Sequence, residues 1–250
     1  MANIEQLTKQ LASDDQVKVY QAKQEMVQRT AAAGAPGHDS ERAPMAAEMI
    51  KCVSLRKEEK DKKGKPVKVP EMNAKGRSLA YRYLASIGTQ ADVPALEQAM
   101  QDFEVREMAR WALARMTCQA ASDALAKAAL LAIGDEFRVG AINSLAGRSG
   151  SNVREALVKC VASPNSEIRL AAVEALACDA DAANDEILAK AARTGYRADK
   201  RIAKARLRLA DNLVAAGQKQ AGQRIYEQIA GGQYEPAQQK AAQAAIKRLG

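Results

Sequence analysis

The chain has 250 residues, of which 47% are hydrophobic but only 4% aromatic, and its formal net charge is +8. Alanine supplies much of the apolar content, so a large aromatic core is excluded. Alanine is the best helix former and β-branched residues are sparse, which favours closely packed helices and predicts almost no strand. No run of about 18 apolar residues occurs, so the sequence predicts no membrane-spanning helix.

The residue types that hold metals or transfer protons are few and scattered. The four cysteines lack the two-residue spacing of a metal-binding pair, so we expect buried free thiols. They are Cys52, Cys118, Cys160 and Cys178. The single histidine, His38, lies among Gly, Pro and Asp, where a helix cap or an exposed loop is its ordinary role. The sequence therefore predicts no metal, no cofactor and no catalytic residue.

Residues 1–55 are predicted to form N-terminal capping helices. Residues 3–33 and 39–55 have helical patterns but match the repeat described below only weakly, as expected at the end of a repeat array. Charged residues throughout the first twenty positions argue against a signal peptide within the sequence. We expect a cytoplasmic protein if the sequence is complete, and an exported one if a signal peptide has been removed from it.

Residues 56–72 read RKEEKDKKGKPVKVPEM and are predicted to form a basic flexible loop between two helices of one repeat. The lysines of this segment could meet an acidic partner or nucleic acid, or the segment could be a solvated loop. Glu58, Glu59 and Asp61 dilute its positive charge, which favours the solvated loop.

Three segments that begin 32 and 31 residues apart share one pattern. They read EVREMARWAL from Glu104, EFRVGAINSL from Glu136 and EIRLAAVEAL from Glu167. In each, a bulky apolar residue precedes Arg and is followed by Ala four positions later and Leu eight positions later. These apolar positions lie on one helix face, so each segment predicts an amphipathic helix. A weaker copy, GRSLAYRYL, begins at Gly76.

This pattern resembles the HEAT repeat, whose second helix commonly opens with a hydrophobic residue followed by Arg. The resemblance is strong over residues 74–194. It implies an all-α fold, a right-handed α-solenoid of about seven HEAT-like helical hairpins, in a single domain over residues 1–250 with the HEAT repeats at 73–194. It also implies a structural role for the arginines at the matching positions. These are Arg77, Arg106, Arg138 and Arg169.

Residues 195–250 are predicted to form basic C-terminal hairpins similar to HEAT or tetratricopeptide repeats. Residues 193–250 carry 12 Lys or Arg against 4 Asp or Glu, a net charge of +8, so the rest of the chain is near neutral. Four of these cations follow at intervals of four, three and four, which places them on one helix stripe. They are Arg197, Arg201, Lys204 and Arg208, which we call the basic ridge. The ridge could contact successive phosphates, or it could be a solvated helix face, since no aromatic residues are interleaved for base stacking.

Stacked hairpins present a long surface, so the sequence favours a non-catalytic scaffold that binds a protein partner. The alternative is binding of nucleic acid or another polyanion through the basic ridge. HEAT-like repeats also occur in alkylpurine DNA glycosylases and phycobilin lyases, which gives a third, distant interpretation. Trp111, however, has no aromatic companions with which to hold an extruded base. We expect a monomer without a membrane partner.

Overall fold

The computed structural model describes residues 3–191 and 195–249, and within them it confirms the predicted all-α class. The described chain contains fourteen α-helices, one short 3-10 helix at Gln90–Asp92 and one β-hairpin. The helices are α1 (Ile4–Gln10), α2 (Gln16–Ala33), α3 (Asp39–Ser54), α4 (Ala74–Ile87), α5 (Val93–Ala99), α6 (Arg106–Arg115), α7 (Gln119–Leu131), α8 (Asp135–Leu145), α9 (Ser151–Val161), α10 (Ser166–Leu176), α11 (Asn184–Lys190), α12 (Tyr196–Ala215), α13 (Lys219–Gly231) and α14 (Pro236–Leu249). Residues 192–194, at the end of the predicted repeat region, lie outside the described residues.

The chain divides into two compact units, residues 1–124 and residues 125–250, which we call the N-terminal unit and the C-terminal unit. In the N-terminal unit, α1 packs on α2, α3 on α4 and α5 on α6, so the chain forms successive helical hairpins. The second helices of these hairpins, α2, α4 and α6, lie side by side in one layer.

The C-terminal unit repeats this arrangement. There α9 packs on α10, α11 on α12 and α13 on α14, while α8, α10 and α12 lie side by side. The last turn of α7 contacts α8, because Arg138 Nε donates a hydrogen bond to the Ala129 carbonyl oxygen at 2.9 Å. Fourteen helices thus form seven successive pairs, as the repeat pattern predicted.

The repeat positions form the core of each hairpin. Val105, Ala109 and Leu113 are at most 2% exposed, and the residues at the same positions of the next two copies are equally buried. Those are Phe137, Ala141, Leu145, Ile168, Ala172 and Leu176. Small alanines between larger apolar side chains let neighbouring helices approach closely, and this explains why so few aromatic residues suffice.

The start of α4 shows how tightly the N-terminal hairpins pack. The Asn73 side chain caps the helix by accepting a hydrogen bond from the Gly76 backbone N–H, and its amide donates to the Ala12 carbonyl oxygen at 2.8 Å. A Cβ at position 76 would lie 2.5 Å from the Ala12 Cβ. Gly76 is therefore needed at this contact because any side chain would separate α4 from the turn before α2.

Residues 56–72, which we predicted to be a basic flexible loop, instead contain a β-hairpin. Strands β1 (Arg56–Lys60) and β2 (Pro66–Pro70) pair antiparallel, with Lys57 opposite Val69 and Glu59 opposite Val67. Lysine and valine alternate in β2, which suits a strand, and Asp61 closes the turn by accepting two backbone hydrogen bonds. We call residues 56–70 the basic ribbon.

Candidate protein-binding surface

The four arginines at the repeat positions all contact their own chain, but in different ways. Arg77 is 2% exposed and donates to Asp102 Oδ2 at 2.5 Å and to Glu104 Oε2 at 3.0 Å. Arg169, also buried, donates to the Ser163 carbonyl oxygen at 2.7 Å. Arg106 lies 4.3 Å from the centre of the Phe103 ring, and Arg138 lies 3.8 Å from Asp135.

The basic ridge lies along α12 and faces the acidic side of α10. Arg201 forms a bidentate ion pair with Glu174, with Nε–Oε1 at 2.8 Å and Nη2–Oε2 at 2.9 Å. Its remaining amino group donates to Glu167 at 3.1 Å, and Arg197 lies 3.8 Å from the same carboxylate. Basic side chains of α12 and acidic side chains of α10 therefore face one another at the contact between these two helices.

The basic side chains of α12 change the ionisation of the acidic side chain that they contact. The hydrogen bond from Arg201 outweighs the effect of burial and lowers the pKa of Glu174, and the nearby charges of Lys204 and Arg208 lower it further. Arg208 itself extends to Cys178, with its Nη1 3.7 Å from the sulfur. Arg201 is thus engaged within the C-terminal unit, and Arg197, Lys204 and Arg208 are the exposed members of the ridge.

Helix α2 has large apolar side chains on a face that no other described helix covers. Val17 is 64% exposed, Tyr20 63% and Val27 54%. The buried side of α2 is formed by a different set, which includes Val19 and Met26. Singly exposed apolar side chains are common on protein surfaces, whereas adjoining ones are a candidate site of association.

The apolar side chains of α2 adjoin helix α4. The Tyr83 hydroxyl donates to the Lys23 carbonyl oxygen at 3.4 Å, so Tyr83 lies over the middle of α2. Helical periodicity places Tyr20 and Val27 on the same side of α2 as Lys23, one turn before it and one turn after it. Half-buried Leu79 lies one turn before Tyr83, so α4 also presents apolar side chains beside α2.

Helix α6 extends this surface with the one tryptophan of the chain. Trp111 is 38% exposed and lies on the side of α6 opposite to the buried Ala109 and Leu113. Because α2, α4 and α6 form one layer, the outward sides of all three helices belong to one surface of the N-terminal unit. We call the apolar residues on it the apolar face: Val17, Tyr20, Val27, Leu79, Tyr83 and Trp111.

A polar cavity of about 480 Å³ also lies in the N-terminal unit, between α4, α5 and the start of the basic ribbon. Burial opposes ionisation of Asp102 in its wall, but hydrogen bonds from Arg77 and from the Glu104 amide outweigh burial and lower the pKa of Asp102. Burial raises the pKa of Tyr81, another residue of the wall. At neutral pH Asp102 is therefore a carboxylate held by arginine, and Tyr81 is a neutral phenol.

The four cysteines are free thiols as predicted, but only two of them are buried. Cys52 and Cys160 are buried, Cys118 and Cys178 are half-buried, and all four are free thiols. Burial raises the pKa of both Cys52 and Cys160, so these two thiols stay protonated at neutral pH. Among residues 3–191 and 195–249 no three His, Cys, Asp or Glu side chains are grouped as metal ligands would be. Over the same ranges, every helix is too short or too polar to cross a bilayer.

Comparison with known proteins identifies the fold. No protein-family model matches the chain, and no curated protein matches it. Among solved structures the chain is similar to Kap95p bound to RanGDP, with a TM-score of 0.50 and 13% identity, over 98% of this chain and 34% of that chain. The chain has a HEAT-like repeat fold. At this identity the likeness extends to the fold alone.

Two other solved structures are similar over almost the whole of both chains. A designed armadillo repeat protein in complex with the peptide (KR)4 has a TM-score of 0.38 and 18% identity, with 100% of each chain covered. Human deoxyhypusine hydroxylase in complex with glycerol has a TM-score of 0.38 and 14% identity, with 98% of this chain and 95% of that chain covered.

Sequence reasoning missed the apolar face. The helical pattern of residues 3–33 was recognised, but Val17, Tyr20 and Val27 could not be told apart from core residues such as Val19. Helical periodicity places Val17, Tyr20 and Val27 on one side of α2, but the polar Gln24 falls between them, so the sequence contains only an interrupted apolar stripe there.

Proposed function

We propose that the protein is a non-catalytic scaffold and that the apolar face of the N-terminal unit binds a protein partner. The observation that carries this proposal is the exposure of Val17, Tyr20 and Val27 along a single helix. Aromatic and aliphatic side chains that project from a rigid helical layer supply contact area at low entropic cost. Peptides that recognise such a surface would present apolar anchors at helical or extended spacing.

The expected binding energy follows from the exposed area. Complete burial of a Val or Tyr side chain contributes about 1.5–3 kcal/mol, and these three side chains are a little more than half exposed. Burial of all three would therefore contribute about 3–5 kcal/mol, which corresponds to roughly a 150- to 4,000-fold change in Kd. Loss of two anchors should be easy to detect.

The groups of the polar cavity support a non-catalytic role. A general acid or base needs a pKa near the working pH, whereas the pKa of Asp102 is lowered by its partners and the pKa of Tyr81 is raised by burial. Both shifts move the groups away from neutrality. Arg77 holds Asp102 in place, which is the arrangement of a structural ion pair.

The test is selection of peptides on the immobilised protein from a phage-displayed library, followed by measurement of each Kd by fluorescence anisotropy. The diagnostic variant is Tyr20→Glu with Val27→Glu. The matched control is Gln21→Glu with Gln28→Glu, which adds the same charges to the same helix at exposed positions rotated by about 100° from Tyr20 and Val27. Glutamate is a good helix former, so both variants should keep the helical circular dichroism spectrum of the parent protein.

We expect peptides that bind the parent protein and the Gln21, Gln28 control alike and bind the Tyr20, Val27 variant at least about 100-fold more weakly. Equal binding to both variants would show that the apolar face is not the binding surface. Failure to recover any peptide that binds the parent protein would argue against peptide recognition altogether.

A further inference from the structure

The basic ribbon is ordered by its own turn. The Asp61 carboxylate accepts hydrogen bonds from the backbone N–H groups of Lys63 at 2.8 Å and Lys65 at 2.9 Å. The Asp61 carbonyl oxygen accepts from the Gly64 N–H at 2.9 Å, and Gly64 has φ +77°. These contacts fix a tight hairpin turn, and they use the one acidic group at the tip to hold the backbone.

The positive charges of the basic ribbon are almost all unpaired. The ribbon contains seven Lys or Arg and three Asp or Glu. Within the described residues, its single ion pair joins Lys57 to Glu59 at 2.7 Å. No ion pair forms at the other five lysines in that part of the chain. They are Lys60, Lys62, Lys63, Lys65 and Lys68.

These cations surround the ribbon. Residues opposite one another in an antiparallel pair share a face, so Lys60 and Lys68 lie on one face with Arg56, while Lys57 and Lys65 lie on the other. Lys62 and Lys63 form the tip. The side chains of β1 and most of β2 are exposed, so core packing does not account for this composition.

We propose that the basic ribbon enters the major groove of double-stranded DNA and binds it without sequence preference. Two strands about 4.8 Å apart, with their side chains, fit a groove about 12 Å wide. A ribbon with cations on both faces can meet the phosphates of both groove walls, whereas a flat acidic protein surface would meet one face. Lysine is a point charge on a flexible stem, which suits phosphate contacts rather than base reading.

The tip also distinguishes DNA from a lipid surface. Residues Lys60 to Lys65 include no aromatic or aliphatic side chain that could insert between lipid headgroups. The ribbon shares no residue with the apolar face, so this proposal does not depend on protein binding. Failure of either proposal leaves the other standing.

The experiment measures the anisotropy of a labelled 20-base-pair DNA duplex against the full chain at 50 and 200 mM salt. The diagnostic variant replaces four lysines of the ribbon with glutamine, Lys60, Lys62, Lys63 and Lys65, and retains Asp61 and Gly64 to keep the turn. The matched control replaces four exposed lysines of the C-terminal unit with glutamine, Lys204, Lys219, Lys240 and Lys247. Both variants lose the same net charge, and the control includes one member of the basic ridge.

Four lysine–phosphate contacts give a slope of log K against log salt of about −3.6, so the fourfold rise in salt should weaken parental binding about 150-fold. We expect the ribbon variant to bind at least about 100-fold more weakly than the parent protein at 50 mM salt, and the control to change less than about 5-fold. Equal losses in both variants, or a larger loss in the control, would overturn the proposal.

Three further arms test the groove geometry and the choice of partner. A Gly64→Val variant keeps the charge but strains the turn, and it should weaken DNA binding several-fold, whereas unchanged binding would contradict insertion of an ordered ribbon. Duplex RNA has a deep, narrow major groove and should bind more weakly than DNA.

Ribbon-dependent binding that is as tight for poly-glutamate, or for vesicles of phosphatidylserine and phosphatidylcholine, as for DNA would assign the ribbon to an acidic protein or to a membrane instead.

Discussion

The ion pair between Arg77 and Asp102 should be a main source of stability in the N-terminal unit, and substitution of Arg77 by Ala tests this. Arg77 is 2% exposed, whereas Asp102 is 31% exposed, so removal of the arginine leaves a half-buried carboxylate without its partner. Breaking a fully buried pair costs about 3–5 kcal/mol, and partial access of water to Asp102 reduces the expected cost to about 2–3 kcal/mol. Glu104, the second partner, is 67% exposed, so Glu104→Gln should cost less than about 1 kcal/mol.

The assay is urea-induced unfolding followed by the fluorescence of Trp111. This is the one tryptophan of the chain and lies in α6, in the same unit as the ion pair, so it reports on that unit. A double-mutant cycle with Asp102→Asn should give a coupling free energy of about 1–2 kcal/mol. A loss below about 1 kcal/mol for Arg77→Ala, or equal effects of Asp102→Asn with and without Arg77, would refute the reasoning.

The pH dependence of the same pair has a definite sign. The pKa of Asp102 is lowered in the folded protein, because the hydrogen bonds from Arg77 and the Glu104 amide outweigh the opposing effect of burial. A carboxyl group with a lowered folded pKa contributes stability above its unfolded pKa, near 4, and loses that contribution as pH falls through the folded value. The stability difference between the parent protein and Asp102→Asn should therefore shrink below about pH 4.

Three further substitutions test other contacts, each by thermal or urea unfolding. Gly76→Ala should destabilise the N-terminal unit by about 1–3 kcal/mol despite the better helix propensity of alanine, because its Cβ would lie 2.5 Å from another side-chain carbon. Arg201→Ala should cost about 1 kcal/mol, since its pair with Glu174 is part-exposed, and an unchanged midpoint would contradict a stabilising role. Arg206→Ala should cost about 3–5 kcal/mol, because Asp185, bonded to it at 2.6 Å, is only 16% exposed; a loss below about 1 kcal/mol would contradict this.

The repeat pattern predicted the core because its information is local. Val105, Ala109 and Leu113 recur at spacings that one helix face requires, whatever the neighbouring helices are. The same reasoning failed for the basic ribbon, because its many charged residues favoured a loop although the sequence also contains two signals of a β-hairpin. Val67 and Val69 alternate with lysine, and Asp61 precedes Gly64 at the spacing of a hairpin turn. Composition alone favoured a loop, whereas turn chemistry decided the structure.

The apolar face could not be predicted in the same way, because the exposure of a side chain depends on its tertiary neighbours. Val17 and Val19 are two residues apart on one helix, yet Val17 is 64% exposed and Val19 is 2% exposed. A local sequence pattern could not predict the ion-pair partners of the basic ridge either. Glu174 lies 27 residues before Arg201, in the preceding repeat, so only the stacking of the two helices brings them together.

Charge has two separate uses in this chain, and ionic strength should distinguish them. The pairs of Arg77 and Arg201 join neighbouring repeats at close range, with partly or fully buried guanidinium groups that salt screens weakly. Five of the six lysines of the basic ribbon have no ion-pair partner in the described structure, and all six are exposed, so their attraction for an anionic ligand is screened strongly. A rise in salt should therefore release a ligand from the ribbon while it changes the free energy of unfolding little. If the ribbon binds DNA as proposed, this separation keeps the repeats assembled at salt concentrations that release the DNA.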